Sequence, residues 1–184
     1  MKRHTIRLCY CALLCALIIL STILFRFTIP GTDVMVTLQV FFVLLCGQMM
    51  PVRYCLYTTC AYLLAGLIGL PVFSSLNGPA VIATPSFGYL LAFPFAAVVC
   101  SLVRQRWNQK KGSRYVASFC GLMVLYAIAI GYVFLLSQIY LRETLSVKAV
   151  LISYLFLFLP LDAAKATFAA WLGQRMCKFT SQLR

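Results

Sequence analysis

The 184-residue chain is 63% hydrophobic and 10% charged, and its 16 lysines and arginines against three acids give a formal charge of +13. A soluble domain carries about 25% charged residues, so this composition describes an all-α membrane protein, with residues 1–184 as one integral membrane domain. The cations gather at the ends of apolar runs, which is a topology signal and excludes a nucleic-acid-binding reading.

In chain order, the basic head Met1-Lys2-Arg3-His4 precedes an uncharged run from Leu8 to Phe25. A spanning helix needs about 20 apolar residues, so 8–25 is the first expected span. No small-x-small pattern closes it, and it is expected to be retained rather than cleaved. Within it Ala12 and Ala16 sit four apart, a spacing that lets a second helix approach closely, from inside the bundle or from a partner subunit. A short loop with Pro30-Gly31 leads to the second span at 34–52, where Gln39 is an isolated amide that either reaches a ligand or bonds to another helix.

No charge occurs from Tyr54 to Val103, which is too long for one span, and three Gly/Pro clusters between Gly69 and Pro85 divide it. The third and fourth spans are expected at 54–70 and 85–103. The loop 71–84 between them, with Asn77 as its one amide, is either a lid over the outer mouth or a connector. Residues 104–114 form a basic loop, and 115–141 the fifth span. Pro160 suits a first helical turn, where its missing N–H is not needed, so the sixth span is expected at 160–182. A short interfacial or re-entrant piece at about 146–158 would precede it, or one bent helix would run from about 148.

With both termini in the cytoplasm, twelve cations lie inside and three outside (Arg26, Arg142 and Lys148), which sets the orientation as N-in, C-in. Asp162 and Lys165 then lie toward the extracytoplasmic side, beside the loop 71–84. Ionisable groups at bilayer depth cost roughly 2.5–3.5 kcal/mol each on insertion scales, and residues at i and i+3 share a helix face. The carboxylate offers only acceptors and the ammonium only donors, so together they suit a small molecule carrying both N–H groups and an oxygen. The competing reading is a salt bridge that fixes the last helix.

Absences narrow the chemistry further. The nine cysteines form no C-x-x-C pair and the single histidine is His4, so neither a metal site nor a haem is expected. No G-x-x-x-x-G-K-[ST] sequence occurs, no second acid accompanies Asp162 in the membrane, and no membrane histidine could serve a serine. No catalytic residues, no enzyme activity and no cofactor are expected.

Three stretches together resemble the BioY family, the biotin-binding S components of energy-coupling factor (ECF) vitamin transporters. Val36-Thr37-Leu38-Gln39 is similar to the family's T-L-Q segment. Gly66 to Phe73, followed by Thr84-Pro85-Ser86-Phe87-Gly88-Tyr89-Leu90, resembles its third-helix end and fourth-helix start. Pro160-Leu161-Asp162-Ala163-Ala164-Lys165 resembles its P-x-D-x-x-K motif. The match covers most of residues 30–175. It departs where Asp33-Val34-Met35-Val36 replaces the family's prolines, and where Phe87 and Leu161 replace common glycines.

The resemblance implies a six-helix S-component fold in a prokaryotic plasma membrane. Biotin would bind near the extracytoplasmic surface, its ureido head held by Asp162 and Lys165 with help from Asn77. Gln39, Tyr89 and Phe41 are further candidates around the ligand, with Gly88 permitting close approach. The Ala12/Ala16 face would dock a transmembrane T subunit, and two ATPase subunits would supply energy. The alternatives are an S component for another small vitamin or a non-transport assembly subunit.

Overall fold

The computed structural model describes residues 2–28, 35–74, 78–107, 112–138 and 157–176. Among them six α-helices form: α1 (Lys2–Leu24), α2 (Gln39–Met49), α3 (Val52–Leu67), α4 (Phe87–Arg106), α5 (Ser113–Leu136) and α6 (Leu157–Arg175). This is the all-α architecture expected, with one addition. Two short strands, β1 (Arg26–Thr28) and β2 (Met35–Thr37), pair antiparallel between α1 and α2, with Arg26 opposite Thr37. Among the described residues three segments are long and apolar enough to cross a bilayer: His4–Leu24, Phe87–Arg106 and Ser113–Leu136.

The second helix departs most from expectation. In place of 34–52, α2 covers 11 residues, about 16 Å at 1.5 Å per residue against a hydrocarbon layer of about 30 Å. Both ends have local causes. The β-branched Val36 and Thr37 favour an extended strand over a helix. At the other end Pro51 disfavours a helical conformation in the residue before it, and Met50 is extended at φ −104°, ψ 152°. The next helix starts at once, with Pro51 in the position before its first residue.

Every residue of α2 except Phe42 is buried. A helix that is apolar all round belongs inside a bundle, and α2 is enclosed by the other five. Its C-terminal carbonyls need partners, because the last turn of any helix leaves them unsatisfied. Arg104 provides them. Expected in the solvated loop 104–114, it is instead buried at the end of α4, its Nε donating to the Gly47 carbonyl at 3.1 Å and Nη2 to that of Met50 at 3.0 Å. Gln48 completes this end by donating Nε2 to the Arg114 carbonyl at 2.7 Å and to Ser118 Oγ at 3.0 Å, and Arg114 Nη1 donates to the Gly173 carbonyl at 2.9 Å.

Helix α3 ends at Leu67 rather than residue 70 because Gly69 turns left-handed at φ 107°. The Leu70 N–H bonds the Ala65 carbonyl at 3.1 Å and the Gly69 N–H that of Gly66 at 3.1 Å, closing the helix in a Schellman turn. The described residues of the loop 71–84 include a 3-10 turn at Pro79–Ala83. Helix α6 is described from Leu157, three residues before the expected start, carries Pro160 inside it and ends at Arg175. Of the expected piece at about 146–158, residues 146–156 lie outside the described residues, as does the tail 177–182.

Close approach of α5 to its neighbours rests on Gly121. A Cβ there would stand 2.8 Å from the Ala96 carbonyl oxygen and 2.9 Å from Leu44 Cδ2, whereas one on Gly131 of the same helix meets nothing within 4 Å. Overpacking of this kind costs about 1–3 kcal/mol. Thermal unfolding in detergent should therefore show Gly121→Ala destabilised by that amount, with Gly131→Ala unchanged or slightly more stable.

Candidate functional site

The end of the bundle opposite Arg104 holds a cleft with an internal volume of ≈ 60 Å³. Four helical or loop regions wall it: Thr37, Gln39 and Val40 from β2 and α2; Ser74 after α3; Ser86, Tyr89, Leu90 and Phe93 around the start of α4; and Phe158, Asp162 and Lys165 from α6. Its mix of apolar walls and few polar groups is of the kind found in small-molecule sites.

Asp162 and Lys165 face the cleft together. Their shared helix face brings Lys165 Nζ to 2.8 Å from Asp162 Oδ1. The same ammonium donates to the Thr37 carbonyl at 2.7 Å, tying α6 to β2. The other carboxylate oxygen, Oδ2, accepts from Tyr126 Oη at 2.7 Å, tying α6 to α5. Asp162 is 5% exposed, so these bonds compensate for lost hydration. An ammonium has three donors and a carboxylate about four lone pairs. Among the described residues these contacts use two donors and two lone pairs, which leaves capacity on both groups for a ligand.

Gln39 is buried beside them and lies at the centre of a relay. Thr37 Oγ1 donates to Gln39 Oε1 at 2.8 Å, Gln39 Nε2 donates to Tyr62 Oη, and Tyr62 Oη donates to the Val72 carbonyl at 3.1 Å. The amide thus joins α2 to α3 and to the start of the loop 71–84 while also lining the cleft, so both readings of Gln39 retain an anchor. Tyr89 lines the cleft with its ring 6.0 Å from that of Tyr126 in edge-on contact.

Two candidates are placed elsewhere. Gly88 is a packing residue: a Cβ on it would lie 2.8 Å from Tyr132 Cβ and 3.0 Å from the Ala129 carbonyl, so it serves the α4–α5 contact rather than the cleft wall. Phe41 is not among the residues that line the cleft and stacks on Phe168 at 5.4 Å, joining α2 to α6. Proximity in sequence to Gln39 and Tyr89 is no guide here, because adjacent helical residues do not face the same way. Asn77 lies outside the described residues. Ala12 and Ala16 are both exposed on α1, while Cys11, Leu14 and Ile18 on its other side are buried.

Sequence reasoning missed Tyr126, Thr37 as a backbone acceptor, Tyr62, Ser74, Ser86, Phe93 and Phe158. Tyr126 sits in an apolar run among aliphatic residues, and nothing in the run points to Asp162 before α5 is set against α6.

Residues 1–182 match the BioY family. The chain is 31% identical over 151 residues to a probable biotin transporter BioY of Lysinibacillus sphaericus, covering 82% of this chain and 77% of that protein. It is 33% identical over 141 residues to a probable biotin transporter BioY of Pyrococcus horikoshii, covering 76% and 78%.

The chain belongs to the BioY family.

The fold agrees with that assignment. The crystal structure of an S-component for biotin from an ECF-type ABC transporter superposes with a TM-score of 0.84 at 24% identity, over 96% of this chain and 93% of that one. The departures of this BioY chain at Phe87 and Leu161 leave the cleft's polar groups untouched: Phe87 is buried, with its ring 5.6 Å from that of Tyr132, and Leu161 is exposed on the outer face of α6. A hydrogen bond to a charged partner contributes about 1.5–3 kcal/mol. Tyr126→Phe should therefore lower ligand-free stability by about that amount in thermal unfolding, and an unchanged midpoint would remove Tyr126 from the support of Asp162.

Proposed function

We propose that this chain is the biotin-capturing subunit of an uptake transporter and that the cleft between α2, α4 and α6 is its binding site. The observation that carries the reading is the side-by-side display of the Asp162 carboxylate and the Lys165 ammonium in an otherwise largely apolar cleft. A ureido group has N–H donors and an oxygen acceptor. The donors match Asp162, the oxygen matches Lys165, and the fused rings suit the faces of Tyr89, Phe93 and Phe158. The relatives that carry the biotin name and cover about three quarters or more of this chain support the same ligand.

The arrangement of cations supports an orientation with this cleft outward. Arg104 and Arg114 lie at the far end of the bundle, and Arg7 packs over Tyr54 near the start of α3 at that end, as positive-inside topology requires. In this reading residues 1–184 form one membrane domain of six spans in a prokaryotic plasma membrane. The loop 71–84 acts as a lid, held to α5 by the hydrogen bond from Tyr132 Oη to the Ile82 carbonyl. The exposed Ala12/Ala16 face of α1 receives a T subunit, and two ATPase subunits supply the energy. Asn77 would close on the ureido head from the lid.

A second reading has one observation in its favour. Asp162, Lys165, Tyr126 and Thr37 bond one another across three elements, as a bundle lock would.

Titration calorimetry on the purified protein separates the two. Truncating one partner of a buried, hydrogen-bonded charge pair costs about 2–5 kcal/mol, or at least about 30-fold in affinity. Asp162→Asn and Lys165→Met should each weaken biotin binding by that factor, and full affinity in both would leave only the lock. On the opposite side of the molecule, Ala16→Trp should block co-purification with a T subunit while leaving biotin affinity unchanged.

A further inference from the structure

At the end of the bundle remote from the biotin cleft, a second cleft of ≈ 390 Å³ opens between the first turns of α1 and α3 and the last turn of α4. Its lining includes His4, Arg7, Arg53, Tyr54, Tyr57 and Gln105. Among the described residues no acid lines it, and the described acid, Asp162, is bonded at the other end of the molecule. Two guanidinium groups and an imidazole thus share one concavity without a counter-charge from the described chain.

Arg7 is the informative member. Its guanidinium lies over the Tyr54 ring, 5.5 Å from the centroid, and its Nε is buried without a hydrogen-bond partner. His4 meets the same ring edge-on at 5.8 Å. A buried guanidinium N–H without an acceptor costs free energy that an anion would restore. Arginine's planar fork matches phosphate oxygens better than it matches chloride or water.

The surroundings of the cleft select among phosphates. Pro51, Val52 and Tyr57 line the cleft beside the cations, and Tyr57 is 56% exposed. Apolar side chains that open outward beside a cationic pocket provide for acyl chains next to a headgroup. Exposed tyrosines are usual at the level of headgroups.

We propose that this cleft binds the phosphate of an anionic phospholipid, with Arg7 and Arg53 on the phosphate oxygens and the acyl chains lying along α1 and α3. The site is separate from the biotin cleft and does not depend on what binds there.

Native mass spectrometry of the full chain, titrated with phosphatidylglycerol or phosphatidylcholine, tests this. The parent should retain one phosphatidylglycerol at about tenfold lower concentration than phosphatidylcholine, and Arg7→Gln/Arg53→Gln should remove most of that preference. Arg106→Gln, an exposed cation at the same end outside the cleft, should keep it. If the double variant does not fold, Arg7→Gln and Arg53→Gln singly should each weaken retention several-fold. No preference in the parent, an equal loss in Arg106→Gln, or no effect of either single change would overturn the proposal. Complete displacement of the lipid by millimolar inorganic phosphate would assign the cleft to a soluble anion instead. Loss of partner-subunit association with lipid retention intact would assign it to an acidic protein surface. Either result would also overturn it.

Discussion

A carboxylate buried among apolar helices must find an opposite charge and hydrogen bonds to its remaining oxygen, and Asp162 finds both. Lys165 holds Oδ1 from one turn along the same helix, Tyr126 holds Oδ2 from α5, and Lys165 extends the chain to the β2 backbone at Thr37. In the interior a charge left alone costs several kcal/mol, and a pair is tolerable only when its geometry and its other bonds are good. The requirement therefore reaches beyond α6. It fixes how α5, α6 and the hairpin ahead of α2 meet, and these elements carry or border much of the cleft wall.

The second constraint is the shortness of α2. A full-length span in that position would bring α2 further along the bundle axis, into the region where the cleft opens. Instead the chain enters as a strand, starts its helix at Gln39 and stops before Pro51. A buried helix so short exposes both sets of terminal backbone groups within the protein, and each end has its own answer. Arg104 satisfies the carbonyls at one end, while the Thr37–Gln39–Tyr62 relay organises polar groups at the other. Anchorage therefore sits at one end of the bundle and the cleft at the other. Gly121 and Gly88, where α5 meets its neighbours, bring the walls close enough for Tyr126 to reach Asp162.

Asp162 and Lys165 were legible in the sequence because acids are so rare in this chain and the i, i+3 spacing fixes their common face. The long spans were legible for a similar reason: α1, α4 and α5 are uninterrupted apolar runs whose ends shift by only a few residues. What could not be read were choices made by tertiary contact. Pro51 signals a break, yet nothing local shows that the preceding strand would shorten α2 from its other end as well. Arg104 looks like a loop cation until a neighbouring helix terminus needs a donor. Tyr126 differs in no visible way from the other tyrosines of the chain, and nothing local shows that Phe41 packs on α6 or Gly88 on α5. In each case the missing quantity was the rotation of one helix about its axis relative to the next.

The central claim is that the Lys165 ammonium meets the ureido oxygen of biotin rather than only Asp162. The direct measurement pairs a change in the ligand with a change in the protein: affinities of biotin and 2-iminobiotin for the parent and for Lys165→Met at neutral pH. Iminobiotin replaces that oxygen with a cationic guanidinium nitrogen, which would face an ammonium. The account predicts that the parent favours biotin by about tenfold or more, given the cost of opposing like charges, and that the preference shrinks or inverts in Lys165→Met. An identical preference in both proteins would contradict it, because Lys165 would then not be in contact with that atom.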